Sequence, residues 1–361
     1  MATADRLAKI RAVLEQRGLD AILVSEAPNR RYLSGFAGSA GYLLITDTNA
    51  VLATDSRYVE QAGRQAPDFR VERIGGAVSW FPKLAAEVGA RRVGFEAQDL
   101  TVSTHASFRK AVKEAANGSS VRLYKTVNVV ERIRAVKDDD ELALLQRSSD
   151  IANEALDEIG ANIQPGTTEG EIAWELEKAM KARGAEEASF ATIVGAGANG
   201  ALPHHRADDT VVEEGKGIVI DMGALYEGYC SDLTRTVFVG EPDEKFEKVY
   251  GTVLKAQLEA EAQLKTGMMG EEVDKVARQV IEEAGHGDEF GHSLGHGVGL
   301  AVHESPHIGP RSKDVIEDGM VLTIEPGIYI PGWGGVRIED MVVMENGRGR
   351  VMSSAKKLQI G

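Results

Sequence analysis

The chain has 361 residues, 43% hydrophobic and 27% charged, with a formal net charge of −15. That mix belongs to a folded protein of two or three domains and excludes a disordered chain, whose apolar content would be too low for its charge. The acidic balance argues against a nucleic-acid binder, and no run of 18 apolar residues is present to span a membrane. Met1 to Ile10 alternates charge and alanine without an apolar core, so no secretory signal is read there. A single cysteine, Cys230, allows no internal disulfide, and a reducing cytoplasm is the expected home.

Asp5 to Arg17 carries Leu7, Ile10, Val13 and Leu14 at helical spacing, with Gly18 as its stop. Asp20 to Ser25 has the length and apolarity of a strand. Tyr42 to Thr46 and Val51 to Thr54 are two more, turned at Asp47, Thr48 and Asn49. Gln98 to Ala116 is predicted helical, capped by Thr101 or Ser103. This alternation predicts an α/β domain over 1–130. The polar cluster Asp55-Ser56-Arg57-Tyr58 is read as a helix cap with a surface ion pair. A boundary falls near 125–140. Asp138 and Glu141 have the spacing of a capping box. Leu142, Leu145, Ser149, Ala152, Leu156 and Ile159 then recur every three to four residues, so a long amphipathic helix opens a second domain over 138–361.

The second domain contains a degenerate repeat. Gly166-Thr-Thr-Glu-Gly-Glu-Ile introduces a helix that stops at Gly184, and Gly267-Met-Met-Gly-Glu-Glu-Val one that stops at Gly285. Glu213 to Asp221 likewise lines up with Glu317 to Glu325, and an acid ends both segments. Two copies are too few for a solenoid, so a pseudo-twofold α+β domain is expected.

Each half is predicted to contain a hairpin. In the first, strands over Gly217–Gly223 and Gly228–Val239, with Tyr226 and Glu227 at the turn, place Asp221 opposite Asp232. In the second, Val321–Ile330 and Gly334–Met344 flank Pro331-Gly332-Trp333, which places Glu325 opposite Glu339. Like charges at facing positions are destabilising. At ~4 Å they repel by about 4 kcal/mol at an effective dielectric of 20. Shared protons or intervening cations must offset this. Four carboxylates would be neutralised by two divalent ions, which points to a two-metal site.

Nitrogen donors are close in sequence. Six of the eight histidines fall within 204–303, and five of them, His204, His205, His292, His296 and His303, are candidates, the last three in or just after the glycine-rich run Gly291–Gly299. His105, His286 and His307 are read as structural or surface residues. Two further motifs match known patterns in form only. Gly195-Ala-Gly-Ala-Asn-Gly200 fits a dinucleotide-binding loop, but Pro203 is badly placed for the helix that must follow. Gly291-His-Ser-Leu-Gly295 fits a nucleophile elbow around Ser293, but Glu304 and His307 are poorly spaced for a triad.

The segments Asp221-Met-Gly, Tyr229-Cys-Ser-Asp-Leu-Thr-Arg-Thr236, His292-Ser-Leu-Gly-His-Gly-Val-Gly-Leu300, Thr323-Ile-Glu-Pro-Gly-Ile-Tyr329 and Gly335-Val-Arg-Ile-Glu-Asp340 resemble the pita-bread metallopeptidases, most closely their Xaa-Pro branch of prolidase and aminopeptidase P. Tyr32-Leu-Ser-Gly-Phe36 and Asp55-Ser-Arg-Tyr58 resemble that family's N-terminal domain. The resemblance implies an α/β N-terminal domain followed by an α+β pita-bread (creatinase/aminopeptidase-like) domain with a pseudo-twofold repeat. It implies two divalent metal ions held by Asp221, Asp232, His296, Glu325 and Glu339. It further implies catalytic roles for His204, His303 and Glu325, and a place for His292 near the substrate pocket. Arg337, two residues before Glu339, is expected either to orient a ligand carboxylate or to meet the substrate's terminal carboxylate. Tyr329 is expected to hydrogen-bond the oxyanion. The donor set suits Mn, Co, Fe or Zn, of which Mn is favoured.

The implied activity is hydrolysis of Xaa-Pro bonds by a homodimeric, cytoplasmic enzyme, without nucleic-acid or membrane partners. A dipeptidase is preferred over an aminopeptidase acting on longer peptides. Methionine aminopeptidase is disfavoured by the additional N-terminal domain, and a creatinase-type amidinohydrolase by the full ligand set. A serine hydrolase using Ser293 and a catalytically inactive binding module are the distant alternatives.

Overall fold

Leu7, Ile10 and Leu14 are buried along one face of a helix running Thr3–Arg17, which ends at Gly18 with a left-handed φ of +61°. This helix begins the first of two compact units, Met1–Arg134 and Ala135–Gly361, in a computed structural model that describes residues 3–115 and 120–359. The first unit is built on a six-stranded sheet in the order Arg70–Arg73, Ala50–Thr54, Tyr42–Thr46, Ala21–Val24, Arg92–Glu96, Arg122–Thr126. The Tyr42–Thr46 and Ala50–Thr54 hairpin turns where expected: Thr46 Oγ1 accepts from the N–H groups of Thr48 and Asn49. The expected Gln98–Ala116 helix is described over Val102–Glu114, and Thr101 caps it by accepting from the Thr104 N–H at 3.1 Å; Ala116, like Met1, lies outside the described residues. Leu23, Leu44, Val51, Phe81, Val93 and Phe108 form the core of this unit. The Asp55 cluster forms the expected ion pair, Arg57 to Asp55 at 2.8 Å, but not the expected helix cap: the helix Val59–Gln65 follows Tyr58 with no side-chain cap bond.

In the second unit Asp138 and Glu141 form the predicted capping box, with bonds of 3.0 and 3.1 Å. The helix that follows, Asp139–Gly160, buries Leu145, Ser149, Ala152 and Leu156. The repeat is real. Helices Glu169–Ala182 and Gly270–Glu283 lead to left-handed glycines, Gly184 and Gly285. Glu171 reaches back to the Thr168 N–H at 2.9 Å, and Glu272 to the Met269 N–H at 2.7 Å. Thr168 then bridges Val211, as Met269 bridges Val315. Each half places a central strand, Lys216–Met222 or Val321–Ile324, between two antiparallel neighbours. Each half has a core of its own. Ile172, Leu176, Ile218 and Ile220 belong to one, and Val253, Ile281, Leu322 and Ile324 to the other. A smaller cluster with Tyr229, Cys230, Val298, Val321 and Met341 joins the two.

The second hairpin keeps its predicted register: Ile324 pairs with Asp340 and Gly327 with Arg337, leaving Glu325 and Glu339 at facing positions between them. The first register is corrected by two residues. The turn is Glu227-Gly228, with φ of +46° and +80°, so Tyr226 pairs with Tyr229 and Asp221 with Thr234. Positive φ at both central residues belongs to a type I′ turn, whose twist matches that of the flanking strands. Asp232 is therefore a diagonal neighbour of Asp221. The shift is even, so both carboxylates keep the same face.

Candidate metal centre

Five carboxylate and imidazole side chains converge from the ends and middles of short strands. Asp221 lies near the end of Lys216–Met222, and Asp232 immediately precedes Leu233–Val239. His296 is the central residue of Gly295–Gly297. Glu325 follows Val321–Ile324, and Glu339 precedes Asp340–Glu345. Donor atoms of Asp232, His296 and Glu339 all lie within 4.8 Å of one another. His296 Nε2 is 3.5 Å from Asp232 Oδ2 and 3.4 Å from Glu325 Oε1. The glycines beside His296 are needed for this approach: a Cβ at Gly295 would stand 2.0 Å from the Thr323 carbonyl oxygen, and one at Gly297 2.1 Å from that of Ser305.

Hydrogen bonds orient these groups from behind. Thr234 Oγ1 donates to Glu339 Oε2 at 2.7 Å. Thr323 Oγ1 donates to Glu325 Oε1 at 3.2 Å and accepts from the His296 N–H at 3.1 Å. His296 Nδ1 lies 3.1 Å from the Gly297 carbonyl oxygen. A carbonyl only accepts, so Nδ1 carries the proton and the Nε2 lone pair faces Asp232 and Glu325. Arg337, 3% exposed, donates to Asp221 Oδ2 at 2.6 Å, to the Tyr329 hydroxyl at 2.9 Å and to Thr234 Oγ1 at 3.1 Å.

Burial sets the electrostatics. Desolvation, then Glu339 and Asp221, raise the Asp232 carboxyl far above its usual range. Desolvation, then Glu325 and Asp221, do the same to Glu339. Glu325 is pushed up to about 8 by burial, and His296 is pushed down to about 4 by burial and by His303. Negative charge concentrated in a buried site around a neutral imidazole is the arrangement that divalent cations stabilise. Asp221 Oδ1 is buried with no hydrogen-bond partner, as a metal-facing oxygen would be. The donor set therefore fits two divalent cations.

The remaining predicted residues surround this cluster. The His303 ring meets that of His296 at 4.2 Å between centroids. His292 donates from Nδ1 to the Ser293 carbonyl at 2.8 Å and accepts from the Tyr329 hydroxyl at 2.9 Å. Burial keeps His292 neutral, pushed down to about 4. Arg337 occupies the lone pair of the Tyr329 hydroxyl while His292 takes its proton. His204, on an exposed loop, acts electrostatically on both His292 and His303. His205 is turned elsewhere, onto Glu169. Sequence reasoning assigned nothing to Thr234 or Thr323. The available signal was period two: each lies two residues from an acidic ligand and so shares its face.

The two other motifs resolve as structure. Gly195–Gly200 continues from a strand into a short 3-10 turn and packs on the second half, where a Cβ at Gly335 would be 2.0 Å from the Gly200 carbonyl oxygen. Ser293 Oγ lies 3.2 Å from His307 Nε2. It is followed by the strand Gly295–Gly297 and not by the helix an elbow requires. His105 stacks on Phe95 at 4.7 Å and His286 lies 3.9 Å from Glu289, in the structural roles expected of them.

A pseudo-twofold α+β domain with carboxylate and imidazole donors at its centre defines a metallopeptidase of the pita-bread type. The chain belongs to metallopeptidase family M24, matched over residues 143–346, and carries a creatinase/prolidase N-terminal domain over residues 6–136. It is 38% identical over 357 residues to an Xaa-Pro dipeptidase of Pyrococcus horikoshii, with 98% of each chain covered. Among solved structures it is similar to an Xaa-Pro dipeptidase from Bacillus anthracis, with a TM-score of 0.94, 39% identity and 99% of each chain covered. It is also similar to an X-Pro aminopeptidase from Thermotoga maritima, with a TM-score of 0.86, 37% identity, and 95% of this chain and 98% of that one covered. Among the described residues no helix is long and apolar enough to cross a membrane.

Proposed function

We propose that this chain is an Xaa-Pro dipeptidase whose two divalent cations are held by Asp221, Asp232, His296, Glu325 and Glu339. The observation that carries this reading is the convergence of Asp232, His296 and Glu339 donors within 4.8 Å, with Glu325 3.4 Å from His296. Full-length likeness to dipeptidases supplies the substrate class. When bound, such cations supply an acidified water and polarise the scissile carbonyl. The leaving nitrogen of an Xaa-Pro bond is a tertiary amide, which departs as a secondary amine only when it receives a proton. In this reading Glu325, which accepts a hydrogen bond from Thr323, carries that proton. His303, packed against His296, and His204 on the nearby loop stabilise charge developing on the carbonyl oxygen. His292 lines the substrate side as a neutral imidazole. Arg337 and Tyr329 act through their neighbours, Arg337 by fixing Asp221 and Tyr329 by fixing His292. Manganese is the favoured metal. We further propose a cytoplasmic homodimer and domains spanning 1–130 and 138–361.

One observation favours a second reading, cleavage of longer peptides: the 37% identity to an X-Pro aminopeptidase. The test is hydrolysis of Ala-Pro and Ala-Pro-Ala by apoprotein and by protein loaded with Mn, Co or Zn. Metal-dependent cleavage of the dipeptide alone is expected. Release of free alanine from the tripeptide would establish the second reading. Activity on neither would leave an inactive binding module, despite the complete ligand set.

A further inference from the structure

His204 and His205 are adjacent in sequence and differ in surroundings. His204 is exposed and acts on His292 and His303. His205 Nε2 lies 2.6 Å from Glu169 Oε2, with the His205 side chain 9% and the Glu169 side chain 0% exposed. Glu169 is the first residue of its helix, where the helix dipole favours a carboxylate. Its Oε1 accepts from the Ala196 N–H at 2.7 Å and from Asn199 Nδ2 at 3.0 Å. Its Oε2 accepts from His205 and from the Asp208 N–H at 3.3 Å. One buried carboxylate thus ties down both ends of the loop that presents His204. A second tie lies on the other side of that residue. Arg337 donates to the Pro203 carbonyl oxygen at 3.4 Å from one terminal nitrogen while the other holds Asp221.

The repeat supplies an internal control. Glu169 and Gly170 donate their N–H groups to the carbonyls of Thr210 and Asp208, as Gly270 and Glu271 do to those of Asp314 and Ser312. The position equivalent to Glu169 is Gly270, where a Cβ would stand 2.2 Å from the His307 carbonyl oxygen. The second half builds the same turn with no carboxylate, so the backbone architecture does not require one.

We propose that Glu169 and His205 are positioning residues for hydrolysis, fixing the loop so that His204 is held at the metal-ligand cluster. This rests on the role given to His204 above. The test compares His204→Ala, His205→Ala, the double variant and His205→Gln in metal-loaded enzyme, by steady-state kinetics on Ala-Pro and by histidine-ring NMR of His204. His205→Ala is expected to lower kcat/KM about 10- to 100-fold with metal content unchanged. The loss should not add to that of His204→Ala, because both variants remove one function. His205→Gln, which keeps an N–H donor for Glu169, should restore most of it. A merely structural histidine would give losses independent of His204, and additive losses or wild-type kinetics in His205→Ala overturn the proposal. Failure of wild-type enzyme to cleave any Xaa-Pro substrate would sink the proposed function, and the ring resonances then decide the positioning separately. Broadening or displacement of the His204 signal in His205→Ala supports it, and an unchanged signal overturns it.

Discussion

Arg337 holds Asp221 by a 2.6 Å bond between a guanidinium and a carboxylate that lie on different hairpins of the repeat. The same guanidinium donates to Tyr329 and Thr234, so its donors are committed inside the site. Arg337→Lys keeps the charge and loses the fork that reaches four acceptors, the Pro203 carbonyl included. Metal affinity is expected to fall about 10- to 100-fold, as for other residues that orient a ligand. Cleavage of Ala-Pro and of Ala-Pro-Ala should suffer equally at saturating metal. Calorimetric metal titration together with both peptide assays checks this, and a loss confined to the dipeptide would show that Arg337 meets the substrate carboxylate.

Ser293 and Glu339 separate the two chemistries that the sequence permits. Glu339→Ala removes a carboxylate buried beside Asp232 and His296. It should lower kcat by more than the roughly 100-fold limit of a supporting residue, with bound metal reduced and circular dichroism unchanged. Ser293→Ala should retain activity within about twofold, since Ser293 contacts His307 without the elbow geometry a nucleophile needs. Abolished activity in Ser293→Ala, with chelation harmless, would reverse the assignment.

Glu261 gives the protein a pH-dependent stability outside the metal centre. Burial, then Asp340, push its carboxyl from 4.5 up to about 8, and Gln257 donates to it at 2.6 Å. The folded protein therefore binds this proton more tightly than the unfolded chain does. The contribution is complete below pH 4.5 and is lost as pH rises through about 8. The Tm of metal-loaded protein should decline over that window, and Glu261→Gln should flatten the decline. Parallel slopes for the two proteins in a scanning calorimetry series would refute this.

Much of the site could be read from residue spacing because the information was local. The Asp138–Glu141 cap, the repeated helices and the second hairpin depend on neighbours a few residues apart, and all appear as expected. The first hairpin slipped by two residues because Tyr226, Glu227 and Gly228 offer more than one turn, and the pairing strand decides between them. The even slip kept Asp221 and Asp232 on one face, so the candidate ligands survived the error.

By itself, then, the sequence determined the two-unit organisation, the α/β and repeated α+β classes and the four candidate carboxylates, which follow from periodicity, capping and the alternation of faces along a strand. The choice of His296 among five candidate histidines came from the family resemblance. Tertiary structure alone decided that Arg337 reaches Asp221, that Thr234 backs Glu339 and that His205 turns to Glu169 while His204 does not. Those pairs are separated by 36 to 116 residues. The first two are fixed by how the two halves of the repeat pack and the third by how a loop closes on its own half, neither of which a local pattern records.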